Sequence, residues 1–283
     1  MPTSPSSAVR EARKTLGNRL RELRKQAGFT TARAFAAEAG WSESKASRIE
    51  NGVTAPSEED LLRYAVVCGV PDAHQDLVAT SHNIEEMYVE WRRVEQQGLR
   101  PIQQSRVPLY ERTRHFRVYE PGVIPGLVQT AAYARAIMSR IAAFRLIPDD
   151  VDEAVAVRIT RQKVLYDASR RFGLLVEETA LRSRFGGSEV MAAQLGHLLK
   201  IAALPQVSFG VIPMSADRVM WPLEGFWVFD DERVLVELAT AEVTVRQPSE
   251  IAAYTCMFSE LAGMACYGPQ ARSLIAEAIG VLG

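Results

Sequence analysis

The stretch Thr31-Ala32-Arg33-Ala34-Phe35-Ala36-Ala37-Glu38-Ala39-Gly40-Trp41-Ser42-Glu43-Ser44-Lys45-Ala46-Ser47-Arg48-Ile49-Glu50-Asn51-Gly52 sets the architecture of the amino-terminal quarter. Thr30 and Thr31 are cap candidates for a short Ala-rich helix, Ala32–Ala39, which Gly40 stops. Ser42 is a competent N-cap for a second helix, although Lys45 stands where a capping box needs an acid. That helix runs to Asn51-Gly52, whose tolerance of left-handed backbone ends it. Upstream, Leu16, Leu20, Leu23 and Ala27 recur at three- and four-residue spacing with Arg19, Arg21, Arg24 and Lys25 between them. This pattern predicts an amphipathic helix from Ala8 that Gly28 ends. Downstream, Ser57 starts a further helix whose first turn holds Glu58, Glu59 and Asp60, where the helix dipole favours acids. Met1 to Ser7 are polar and Pro-rich and are expected to form a disordered arm.

Charge divides the 283-residue chain in the same place. Residues 1–56 carry ten Lys/Arg and five acids, a charge of +5, while 57–283 carry 23 and 29, a charge of −6. A basic head on an acidic body is the footprint of a nucleic-acid contact, because neutralising phosphates releases counterions. A hydrophobic content of 47% and a charged content of 24% exclude collagen-like and wholly disordered classes. Apolar runs such as Tyr64–Val70 fall far short of the ~20 residues a bilayer span needs, so no membrane partner and a cytoplasmic, nucleoid-associated location are expected. Three cysteines, Cys68, Cys256 and Cys266, with no CxxC pair, argue against a disulfide framework or a zinc ribbon and suggest reduced core thiols.

Two short helices around Gly40, the second polar on its exposed face, describe a helix-turn-helix. The ordered set Leu20-Arg21-Glu22-Leu23-Arg24, Gly28-Phe29-Thr30, Ala36, Gly40-Trp41-Ser42, Ser47-Arg48-Ile49-Glu50-Asn51-Gly52 and Pro56 resembles the Xre/lambda-repressor-like helix-turn-helix family. The resemblance implies that the helix after Gly40 enters the major groove, aiming Ser42, Glu43, Ser44, Lys45, Ser47 and Arg48 at DNA while Ala46 and Ile49 pack inward. The chemistry suits them: Lys45 can donate to guanine or phosphate, Glu43 can accept from cytosine, and Arg48 is placed for a phosphate clamp. Thr31 stands where many members carry Gln, so its phosphate contact is weaker or passes to Arg33.

Beyond Val70-Pro71, His74–Thr80 continues as a helical piece, followed by an amphipathic stretch from Ile84 to Gln97. Gly98, Pro101 and Pro108 mark a loop-rich connector. The expected domains are therefore 8–80, a helical connector over 81–108, and a larger domain over 109–283. In the last, Phe116–Tyr119, Leu174–Val176, Val207–Ile212, Phe226–Phe229 and Val234–Leu238 are short and rich in β-branched and aromatic residues, as strands are. Helices are expected over Gln129–Arg140, from Pro148 to Ala168, over Glu189–Ala203 and over Ser249–Ala265. The fold class is a mainly α head plus an α+β body with a mostly antiparallel sheet.

A second resemblance covers nearly all of the body. Val123-Ile124-Pro125-Gly126-Leu127-Val128-Gln129-Thr130, Arg158-Ile159-Thr160-Arg161-Gln162, Glu177-Glu178, Leu181-Arg182 and Val211-Ile212-Pro213 look like the domain that follows a helix-turn-helix in the actinobacterial WhiJ-like regulators. It implies regulation of transcription, often of development, with a small acidic BldB-like partner protein on the carboxy-terminal domain and no established enzymatic activity.

Constellations for catalysis are weak. None of the four histidines falls in a metal-binding spacing, no Ser sits in a GxSxG elbow, and no cofactor is implied. Arg158, Arg161 and Gln162 share one helical face and either grip a carboxylate or phosphate or brace the helix against Glu177 or Glu178. Trp221 and Trp227 either line a ligand pocket or belong to the core. Together with Glu177 they complete the candidate ligand or partner site. The expectation is a DNA-binding repressor acting as a homodimer, not an enzyme. A small-molecule-responsive repressor, an antitoxin-like adaptor that titrates its partner and an enzyme with a DNA-binding head are the alternatives.

Overall fold

The computed structural model describes residues 7–86, 88–90, 97–239 and 241–282, and side chains over 12–81, 97–239 and 241–282. The chain divides into two units, Met1–Tyr88 with Val243–Pro248, and Val89–Glu242 with Ser249–Gly283. The arm expected over 1–7 lies outside the described residues except for Ser7.

The first unit contains α1 (Ser7–Gln26), α2 (Ala32–Ala39), α3 (Glu43–Glu50), α4 (Glu58–Val67) and α5 (His74–Glu86). Local chemistry fixes each boundary. Thr31 Oγ1 accepts from the Ala34 amide at 3.1 Å and Ser42 Oγ from the Lys45 amide at 3.2 Å. Gly40, at φ 70°, closes α2 with its own amide directed at Ala36 and Ala37, and the Trp41 amide reaches Ala36 O at 2.8 Å. Ser57 and Asp60 form a reciprocal capping box on α4. The core unites Leu16 and Leu20 of α1, Phe35 and Ala39 of α2, Ala46 and Ile49 of α3, Leu61 and Tyr64 of α4, and Leu77 of α5. Ala46 and Ile49 face inward as the periodicity predicts.

Between the units in sequence, Tyr88–Glu90 is a strand, β1, so the helix expected over Ile84–Gln97 ends at Glu86. Tyr88 and Val89 are aromatic and β-branched, residue types that favour extended backbone. Residues 87 and 91–96 lie outside the described residues. The connector that its prolines marked as loop is largely helical: α6 (Arg100–Ser105) and α7 (Val107–Arg112) each place a proline in the first turn, where a missing N–H costs nothing.

The body follows as β2 (His115–Glu120), α8 (Ala131–Arg145), α9 (Val151–Arg161), β3 (Arg171–Glu177), α10 (Glu178–Arg182), α11 (Ser188–Ile201), β4 (Val207–Ile212), β5 (Phe226–Phe229) and β6 (Arg233–Glu237). Then come β7 (Ala241–Val245), α12 (Pro248–Met264) and α13 (Gly268–Gly280). The helix expected to reach Ala168 ends at Arg161 and tightens into a 3-10 turn over Gln162–Tyr166. Five strands lie in the order β6-β5-β2-β3-β4. β2 pairs antiparallel with β5, and β5 with β6. β2–β3 and β3–β4 are parallel, so the sheet is mixed. Helical crossovers impose this: α8 and α9 separate β2 from β3, and α10 and α11 separate β3 from β4, which returns the chain in the same direction. The β5–β6 hairpin turns at Asp230, whose φ is 51°, and Asp230 Oδ1 accepts from the His115 amide at 2.8 Å.

One sheet face packs Phe116, Val118, Phe172, Leu174, Phe209 and Phe229 against Tyr133, Leu195, Leu198 and Ile275 from α8, α11 and α13. The other holds Tyr119 and Phe226 against α12, with the Phe226 and Tyr254 rings 5.1 Å apart. Of the expected core thiols, Cys68 is buried, Cys266 half-buried and Cys256 exposed. Among the described residues no helix is long and apolar enough to cross a membrane.

Candidate nucleic-acid interface and a buried polar cluster

The α2–α3 pair is held by a lock that no local pattern announces. Glu50, 2% exposed at the end of α3, receives Arg24 Nε at 2.6 Å, Arg24 Nη2 at 3.0 Å and the Tyr64 hydroxyl at 2.5 Å. Arg21 adds Nε to Glu50 Oε2 at 3.2 Å and Nη2 to Asn51 Oδ1 at 2.7 Å. Arg24 Nη1 also donates to Phe29 O at 2.6 Å. Burial pushes the Glu50 carboxyl upward, but the donors from Arg24, Tyr64 and Arg21 outweigh it and hold the pKa below the ordinary value. The bonds to Glu50 raise the Arg24 guanidinium in turn. Behind this lock, Phe35 stacks on Tyr64 at 4.1 Å and meets Trp41 edge-on at 5.8 Å, which fixes the turn between the two helices.

On the outer side, Arg33, Ser42, Glu43, Ser44 and Arg48 are exposed together on α2 and α3. Thr31 is exposed as well, its hydroxyl engaged as the α2 cap. Lys45 is placed differently from a free base reader. Its Nζ lies 2.5 Å from Asp60 Oδ1 and 4.5 Å from the Trp41 ring centroid, tying α3 to α4. Burial raises the Asp60 carboxyl, and the bonds from Lys45 and Ser57 more than reverse that. Ser47 Oγ accepts from Asn51 Nδ2 at 3.2 Å and serves the end of α3. The side chains free to meet a duplex are therefore Arg33, Glu43, Ser44 and Arg48.

In the body the three α9-face residues come together, but not against Glu177 or Glu178. Arg158 Nε and Arg161 Nη2 both donate to Gln103 Oε1 at 3.2 Å, and Arg158 Nη1 donates to Gln129 Oε1 at 2.7 Å. Gln162 Nε2 donates to Gly126 O and Gln129 O, both at 2.9 Å. The Arg161 guanidinium lies 4.1 Å over the Tyr110 ring. The bracing expectation is thus corrected: the two glutamates already have other partners. Glu177 pairs bidentately with Arg218 at 2.8 and 2.6 Å and accepts from Tyr119 at 2.9 Å, while Glu178 pairs with Arg182.

Trp227 is 7% exposed, its ring 5.9 Å from Tyr110 and its Nε1 donating to Glu120 Oε1 at 2.8 Å. Trp221, 64% exposed on the loop before β5, is not part of this cluster. Burial, followed by the nearby charge of Glu237, pushes the Glu120 carboxyl up to about 8. Burial and the neighbouring Arg161 push the Arg158 guanidinium down to about 10. Arg106 is matched by Glu237 and Glu242. Gln103, Arg106, Tyr110 and Glu120 escape a sequence reading because buried polar partners carry no periodic signal; Gln129, inside a conspicuous motif, was within reach.

Two family models match the chain. Residues 15–78 match a helix-turn-helix domain, which makes the head a DNA-binding module of the kind regulators carry. None of the curated proteins compared with the chain matches it. Residues 104–277 match the model described as "Domain of unknown function (DUF5753)", and with more than half its length so matched the chain belongs to the DUF5753 family.

Proposed function

We propose that the protein is a sequence-specific transcriptional regulator, acting as a repressor, in which the head reads DNA and the body controls it by binding rather than by turnover. The observation that carries this reading is the α2–α3 pair, locked from behind by Arg24, Glu50 and Tyr64 and presenting Arg33, Glu43, Ser44 and Arg48 outward. Arg48 and Arg33 bind phosphate and set register; Glu43 and Ser44 face base edges. The resemblance of the head to Xre-type regulators supports a homodimer on a near-palindromic operator with half-sites ~34 Å apart. The resemblance of the body to WhiJ-like proteins supports a small acidic partner protein of the BldB-like type, and a regulator of this kind works in the cytoplasm on the nucleoid.

Selection of duplexes from a random-sequence pool by the full-length protein tests the reading. The expected result is enrichment of a motif with two inverted half-sites about one helical turn apart, lost on Glu43→Ala together with Arg48→Ala. A pool that stays unenriched through successive rounds contradicts it.

A further inference from the structure

Arg161 is 6% exposed, yet no carboxylate pairs with it among the described residues. Its Nη1 and Nη2 are spent on the backbone and side-chain oxygens of one neutral residue, Gln103. Among the described residues Arg158, one turn earlier, likewise hydrogen-bonds only the amides of Gln103 and Gln129. Two guanidiniums converge on one amide oxygen, and the one acid whose charge reaches both, Glu237, is itself bonded to Arg106, so the pair keeps surplus positive charge that an anion would offset.

The same Arg161 lines a cleft of about 470 Å³ between α9 and the α6–α7 segment, a volume in the usual range for small-molecule sites. Val107, Val157 and Val164 make its walls apolar, Thr160 offers a hydroxyl, and Lys163 stands at the rim. Lys163 and Arg161 outnumber the one acid present, Glu111. We infer that this cleft binds a small amphipathic carboxylic acid, its carboxylate directed to Arg161 and Lys163 and its apolar portion laid along the three valines. One negative charge suits the site better than two: with Glu111 present the cleft has a single surplus positive charge, and a planar carboxylate matches the guanidinium fork.

This assignment supplies the ligand chemistry that a small-molecule-responsive form of the proposed regulator requires. It is tested without DNA, so that its failure leaves the DNA-binding reading untouched. Ligand-observed NMR titrations use the full chain with octanoate and phenylacetate, their neutral amides octanamide and phenylacetamide, and inorganic phosphate. The expected result is saturable binding of at least one carboxylate, about tenfold tighter than its amide, and none of phosphate.

Two variants locate the site without disturbing buried residues. Ala156→Trp, from an exposed position on the cleft, abolishes binding, and Lys163→Ala weakens it about threefold. The absence of binding by both carboxylates overturns the assignment. So does amide binding as tight as carboxylate binding, preference for phosphate, or carboxylate binding that Ala156→Trp leaves intact.

Discussion

Glu50 does for the head what its sequence context conceals: it ends the exposed helix and at the same time neutralises a buried arginine from α1. Replacing it by Gln preserves the shape and leaves Arg24 buried without a counter-charge, a loss of about 3–5 kcal/mol. The readout is amide hydrogen exchange across α1 and α3, which reports the head separately from the body. The pH dependence has a definite sign. Because the folded carboxyl lies below its ordinary value of 4.5, its contribution is present above that value and is lost as pH falls through it toward the folded pKa. Protection factors in α1 and α3, which remove the intrinsic pH dependence of exchange, should therefore fall on acidification in the wild type and change less in Glu50→Gln.

Glu120 has the opposite sign. With a folded pKa near 8 against an ordinary 4.5, it weakens the native state progressively from pH 4.5 to 8 and by a constant amount above. Glu120→Gln, which keeps an acceptor for Trp227, should stabilise the body by about 2–4 kcal/mol at pH 8, allowing for partial solvent access, and by nearly nothing below pH 4.5. Denaturant titrations at the two pH values, followed by hydrogen exchange in β2 and β5, measure the difference.

At the scale of elements, α1 and α3 meet through a glycine. A Cβ on Gly17 would lie 2.4 Å from Glu50 O, so Gly17→Ala, normally a gain in a helix interior, should destabilise the head by about 1–3 kcal/mol. An unchanged or raised thermal midpoint would show that the two helices pack less closely than described. The boundaries of α2, α3 and α4 were legible in the sequence because Thr31, Gly40, Ser42 and Ser57 act within four residues of themselves. The Arg24–Glu50–Tyr64 lock was not, since its members lie 26 and 14 positions apart, and Arg24 and Glu50 are of types ordinarily found on the surface. In the body, strand positions were legible from β-branched and aromatic runs. Which neighbouring strands run parallel was not, because period-two alternation is the same in parallel and antiparallel ladders. Pro101 and Pro108 read as loop markers but lie in the first turns of helices, an ambiguity inherent in a residue that favours either place.

At the scale of the whole molecule, residues 1–56, of charge +5, and residues 57–283, of charge −6, share one chain, and the segment Val243–Pro248, far along the sequence, belongs with the amino-terminal unit. There Gln247 Oε1 accepts from Thr80 Oγ1 at 3.4 Å. Nothing in the composition of that segment announces such a return; its partner is 167 residues away. The shared α9 face of Arg158, Arg161 and Gln162 was legible by spacing, whereas their partners were not. Helical periodicity tells which side chains travel together without telling what they meet.

On the proposed function, the α2–α3 surface of the head binds a specific duplex through Arg48 and its neighbours. Fluorescence anisotropy on the duplex enriched by selection, over a series of salt concentrations and beside Arg48→Ala, tests it most directly. Saturable, competitor-resistant binding that falls steeply with salt is expected, and for Arg48→Ala a weaker affinity with the log–log salt slope reduced by about 1. Binding equal to that of random DNA, or an Arg48→Ala protein with the wild-type affinity and slope, would contradict it.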